Sequence, residues 1–156
     1  MSAAAVRCRV PAGFVPVDLA ARDETYAREL LAAGACYAAV FVLPPERAGY
    51  FVITEPAGPP PDLDALAGCL AADPDAGARS VELPCGRAVA CVEYARVAAA
   101  PAAAAPVDVV QEHAVAIHPA TGQAVTFTLG VRDTRRRPEY ADLFDEILRT
   151  VSFSGS

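Results

Sequence analysis

His113 is the side chain in this sequence best suited to acid–base chemistry, because an imidazole changes charge near neutrality without special help. It stands in the run Gln111-Glu112-His113, and a second apolar run upstream carries Glu93-Tyr94. If the two runs pair as strands, His113 meets Glu93 or Glu112 and forms a general acid–base pair. The plainer expectation is a histidine on a sheet face beside solvated carboxylates, each satisfying the other. His118 precedes Pro119 in a turn and is expected to be exposed. No serine occupies a Gly-x-Ser-x-Gly elbow, and neither GxGxxG nor GxxxxGK[ST] occurs. The sequence therefore assembles no catalytic set, and no enzyme is expected. Acid–base catalysis by His113 with Glu93 or Glu112 is the alternative, as is small-ligand binding between sheet and helix.

One cationic cluster departs from an acidic background. Arg132, Arg135, Arg136 and Arg137 precede an amphipathic segment, where guanidinium groups could dock carboxylate or phosphate bidentately. Runs of this kind are commonly only solvated, but cations at a helix N-terminus oppose the dipole at a small cost. The cluster is therefore the expected binding surface. Asp62 with Asp64, and Asp73 with Asp75, fall at helix ends and read as caps rather than as metal ligands. Cys8, Cys36, Cys69, Cys85 and Cys91 are scattered without a CxxC pair and read as buried free thiols. Neither histidine lies at metal-ligand spacing, so no metal or cofactor is expected.

Composition narrows the classes further. All 13 basic residues are arginine, which with abundant alanine and proline is the mark of a high-GC genome. A formal charge of −6 and a pI near 4.8 argue against nucleic acid or an anionic membrane as partner. The N-terminal residues lack the apolar core of a signal peptide and no run reaches transmembrane length, so a cytoplasmic location is expected. The 156 residues suit a single domain, 1–156.

These residues must be held by elements the periodicity predicts. Val6–Val10 is a first strand, and Pro11–Pro16 an irregular lead-in. Asp23–Ala33 is a helix with Tyr26, Ala27, Leu30 and Leu31 on its apolar face, stopped by Gly34. Tyr37–Leu43 and Tyr50–Thr54 form a hairpin. A second helix follows Asp62, with Leu63, Leu66, Ala67 and Leu70 on one side. Ser80–Leu83 and Arg87–Val97 flank a Pro84-Cys85-Gly86 turn. Ala98–Pro106 is a flexible or extended connection between two strands. In Val107–Ile117 the apolar bias falls on Val107, Val109, His113, Val115 and Ile117, while Val125, Phe127, Leu129 and Val131 alternate cleanly with polar or small residues. Pro138 opens a last helix with Tyr140, Leu143, Phe144, Ile147 and Leu148 inward, and Glu139, Asp142, Asp145, Glu146 and Arg149 toward water. Val151-Ser152-Phe153 closes the chain as a strand. Hairpins dominate, so an α+β fold with a mainly antiparallel sheet flanked by helices is expected.

This order resembles the PsbP-like superfamily of α/β/α sandwiches, which includes the photosystem II oxygen-evolving subunit P and the Ran-binding release factors. The residues that carry the likeness are Arg9–Phe14, Val107–Ile117, Val125–Val131, the Tyr140–Leu148 helix and Val151–Phe153. It looks most like the bacterial branch of small uncharacterised proteins, lipoproteins and secretion-system adaptors. The resemblance implies a non-enzymatic protein-interaction module, such as an adaptor, chaperone or immunity-type partner linked to a secretion system. Its partner would be another protein, and an open strand edge would also permit a homodimer.

Overall fold

A computed structural model describes residues 6–21, 25–41, 48–84, 86–97, 107–132 and 137–154. In chain order the elements are β1 (Val6–Arg7), β2 (Val15–Pro16), α1 (Thr25–Ala32), β3 (Ala35–Phe41), β4 (Gly49–Thr54), α2 (Leu63–Ala71), a 3₁₀ turn (Pro74–Ala76), β5 (Arg79–Leu83), β6 (Gly86–Val97), β7 (Val107–Ile117), β8 (Ala124–Val131), α3 (Arg137–Leu148) and β9 (Ser152–Phe153). Seven strands form one antiparallel sheet in the order β2-β3-β4-β8-β7-β6-β5. β1 pairs with β9, which ties the two ends of the described chain together. The fold is α+β and mainly antiparallel, as the periodicity predicts. Ala98–Pro106 lies outside the described residues.

The local chemistry accounts for the boundaries. Asp62 caps α2, its carboxylate accepting from the N–H groups of Asp64 and Ala65, and Asp73 does the same for Asp75. Gly77 closes the 3₁₀ turn with φ 54°, a left-handed conformation that costs glycine little. The segment Pro11–Pro16 is not wholly irregular: Val15 and Pro16 pair with Val40 and Ala39. So short an edge strand carries no periodicity, and its proline blunts the edge against further pairing.

Strand alternation sorts the sheet into two faces. On the first, Phe51, Ile53, Val81, Val92, Val110, Ala114, Phe127, Leu129 and Val131 pack beneath Tyr140, Phe144, Ile147 and Leu148 of α3. The N-terminal segment covers part of the same core through Val6, Cys8, Val10 and Phe14, with Phe14 stacked on Phe41 at 4.5 Å. On the second face, α1 lies over β3, where Leu30 packs on Ala35, Ala38 and Val52. Leu31, expected on the inner side of that helix, is half-exposed, and the Tyr26 side chain lies outside the described residues. α2 contacts β6. Arg87, an outward neighbour of Val89 on this face of β6, is ion-paired to Asp64 of α2.

Both sides of β7 carry buried residues, Val109 on one and Val110 on the other. The Val109–Ile117 parity, richest in large apolar residues, is not the side beneath α3. The fully buried side carries Val110, Glu112, Ala114 and Ala116, while Gln111, His113, Val115 and Ile117 are only half-buried. Small alanines there leave room for the aromatic rings of α3.

Candidate functional site

The half-buried face of β7 holds the polar groups that the sequence singles out. β6 and β7 pair so that Cys91 opposes His113 and Glu93 opposes Gln111, and β8 places Thr128 on the other side of His113. His113 Nε2 lies 2.7 Å from Glu93 Oε1, and Nδ1 lies 3.1 Å from Thr128 Oγ1. A carboxylate can only accept, so Nε2 carries the proton; in the neutral ring Nδ1 then accepts from the Thr128 hydroxyl. The chain thus brings His113 to Glu93. Glu112 does not join them, because one residue along a strand reverses the side-chain direction.

Tyr50 extends this polar strip. Its ring lies across Gly130 of β8, and its phenol oxygen accepts a hydrogen bond from the Gln111 amide of β7. A Cβ at Gly130 would run into that ring, so glycine is what lets a β4 side chain cross β8. Burial pushes the Tyr50 phenol above its ordinary value and the nearby Glu93 charge adds to the rise, while the Gln111 hydrogen bond works against both. Burial likewise raises the Cys91 thiol, with Glu93 and Glu112 adding and Arg79 opposing. A thiol raised in this way is a poor nucleophile at neutral pH. The sequence points to His113 and Glu93 here but not to Tyr50, whose role depends on cross-strand register.

Glu112 is not a solvated carboxylate; it is 1% exposed on the face beneath α3. Arg79 of β5 donates to Glu112 Oε2 at 3.1 Å, and its Nε and Nη2 grip Asp145 of α3 at 2.8–3.2 Å. Asp145, expected to face water, is therefore held against the sheet. Its helical position lies at the margin of the apolar stripe, where a guanidinium from an edge strand can reach it. These contacts with both carboxylates raise the Arg79 pKa despite its burial. The cluster joins β5, β7 and α3 across the sheet and is a structural clamp.

His118 departs furthest from expectation. It is 1% exposed, with its ring 4.7 Å from that of Phe153 and its Nδ1 accepting from the Ala120 N–H at 3.0 Å. The turn after β7 folds inward because this side chain satisfies its own backbone, a local bond that composition does not reveal.

Of the expected arginine surface, Arg132 is exposed at the end of β8, its N–H bonded to the Ala48 carbonyl. Arg135 and Arg136 lie outside the described residues, and Arg137 opens α3 with its side chain outside them. The described cysteines are free, but none is fully buried. Cys36 occupies a bulge in β3 that turns it outward, and Cys69 lies on the outer side of α2. Cys8 comes nearest to the buried thiol expected, with burial pushing its pKa up to about 11. Among the described residues no cluster of three or more His, Cys, Asp or Glu is arranged to hold a metal ion, and no helix is long and apolar enough to cross a membrane.

No family model matches the chain, and no curated protein does either.

Proposed function

We propose that the chain is a non-enzymatic protein-interaction module with an α/β/α layered architecture, acting as an adaptor or chaperone-type partner in the cytoplasm. The observation that carries this reading is α2. Asp64 is the one polar side chain in Leu-Asp-Ala-Leu-Ala-Gly-Cys-Leu-Ala, yet the helix has no buried residue. A helix apolar on nearly every side is ordinarily covered on nearly every side. Here Leu63, Leu66 and Leu70 are half-covered by the sheet, while Ala65, Gly68 and Cys69 face outward. A partner that covers this helix would complete its burial. The resemblance to PsbP-like proteins, which mostly bind other proteins, and to secretion-system adaptors supports the same reading.

Gly68 supplies the test, because a Cβ placed there meets nothing within 4 Å. Gly68→Ala should stabilise the helix by about 1 kcal/mol and serves as the folding control. Gly68→Arg puts a charge on the outer face without a steric clash. Tagged wild-type and variant chains expressed in the source organism should co-purify the same partner, except that Gly68→Arg loses it without a fall in melting temperature. An unchanged set of partners with Gly68→Arg sinks the reading.

A second reading, small-ligand binding, is favoured by one recess. About 230 Å³ lies between the N-terminal segment, β3 and α3, lined by Phe14, Phe41, Tyr140 and Leu143. A thermal-shift screen of small aromatic compounds that leaves the melting temperature unmoved, both for wild type and for Phe14→Ala, would remove it.

A further inference from the structure

The second face of the sheet is not covered uniformly. α1 lies over β3 and α2 over β6, with β4, β8 and β7 between them. Four strand spacings of about 4.8 Å would put the helix axes about 19 Å apart, and helices about 10–12 Å across would leave a channel of roughly 7–9 Å among the described residues. Another helix with its side chains is too wide for that space, whereas a single extended chain fits it.

The floor mixes buried Val52 and half-buried Val115 with a strip of polar side chains. Tyr50, Gln111, His113, Thr126 and Thr128 are each half-buried, and the side chain of Glu93 on β6 is 58% exposed. Glu93 is the carboxylate among the described strand residues on this floor. Arg87, the cation on the same face, is already ion-paired to Asp64. Glu93 is held in place by His113, which is itself held by Thr128, so the carboxylate is fixed in position before any ligand arrives. A fixed, partly desolvated carboxylate favours a cation whose N–H groups can bond it directly. The net charge of −6 adds a favourable long-range field.

We infer that the channel between α1 and α2 binds an extended segment of a partner protein that sets an arginine or lysine side chain against Glu93, with Gln111, Thr126 and Thr128 offering hydrogen bonds along its length. This rests on the protein-interaction reading and names what a partner would present at a second surface beside α2.

The probe is the peptide acetyl-Val-Thr-Arg-Thr-Val-amide, titrated into the ¹⁵N-labelled full chain, with the same peptide carrying glutamate in place of arginine as its control. The arginine peptide should shift the amides of Cys91–Glu93, Gln111–His113 and Thr126–Thr128 saturably. Glu93→Gln should weaken it about tenfold, the size of one charge-assisted contact, and the glutamate peptide should not bind. Three results overturn the inference: no saturable shifts at these amides, equal binding of both peptides, or binding indifferent to Glu93→Gln. Arginine amide alone binding as tightly as the peptide overturns the extended-chain part. Failure here is separable from failure of the wider reading, because Gly68→Arg tests α2 on its own.

Discussion

Replacing Arg79 by methionine should be among the most damaging single changes to the stability of this protein. The substitution keeps most of the apolar stem but shortens the side chain by its guanidinium, removing its charge and donors. Glu112, 1% exposed, then loses the donor at 3.1 Å that compensates its charge, and Asp145, 17% exposed, loses the guanidinium on both its oxygens. Breaking a buried ion pair from one side costs about 3–5 kcal/mol, because the surviving charge stays desolvated. For a chain of this size each kcal/mol is worth about 2–4 °C, so the melting temperature should fall by roughly 6–20 °C.

The companion variants separate this cause from lost packing. Glu112→Gln can still accept from Arg79 and removes the buried charge itself, so its cost should be nearer the 1–3 kcal/mol of a perturbed buried polar group. Asp145→Asn leaves the Arg79–Glu112 pair intact and should cost less than Arg79→Met. The double variant Arg79→Met with Glu112→Leu replaces the pair by apolar groups and should recover much of the loss, since such replacements are often neutral or stabilising. Urea titration followed by far-ultraviolet circular dichroism suits a chain without tryptophan. A cost below 1 kcal/mol for Arg79→Met, or a double variant no better than the single, would refute the clamp, since either outcome means the pair behaves as a surface contact.

Two other outcomes test the less expected parts of the structure. His118→Ala removes both the Phe153 contact and the acceptor for the Ala120 N–H and should cost about 2–4 kcal/mol, whereas His118→Asn can rebuild the turn bond and should cost less; equal losses in thermal melts would show that the turn bond contributes nothing. Iodoacetamide at pH 8.5 should label Cys69 before Cys8, because Cys69 is exposed while burial holds the Cys8 thiol up to about 11. The sign is that of an acid with a raised folded-state pKa: the folded form keeps the Cys8 proton that the unfolded chain loses near pH 9, so stability should fall as the pH climbs from about 9 toward 11. Mass spectrometry of timed aliquots that finds Cys8 modified first would reverse the burial assignment.

Most strands and helices were legible because their side chains repeat at the period of the element that holds them. The hairpin of β7 and β8, the apolar stripe of α3 and the Asp62 cap all follow from spacing within a few residues. The pairing of His113 with a glutamate was legible as one of two outcomes. Only register could choose Glu93 over Glu112, and register depends on where the β6–β7 connection lets the strands meet. What stayed hidden shares one cause. Arg79 lies 33 residues from Glu112 and 66 from Asp145, and Tyr50 lies 61 from Gln111, so no local pattern links these partners. His118 misled for the opposite reason: a histidine before proline in a turn resembles an exposed residue unless its own ring bonds the backbone two residues on.

The same reasoning bears on where function should be sought. The charged side chains that reach inward are clamped to one another, and Glu112 and Asp145 share Arg79 beneath α3. The second face is built differently. Its polar side chains are half-buried and lie between two helices, and one of those helices is apolar without being buried. Stability alone would favour burying Leu63, Leu66 and Leu70 completely. Leaving α2 part-covered beside half-buried polar groups, while α3 is closely packed, is the imbalance that the proposed interaction would complete.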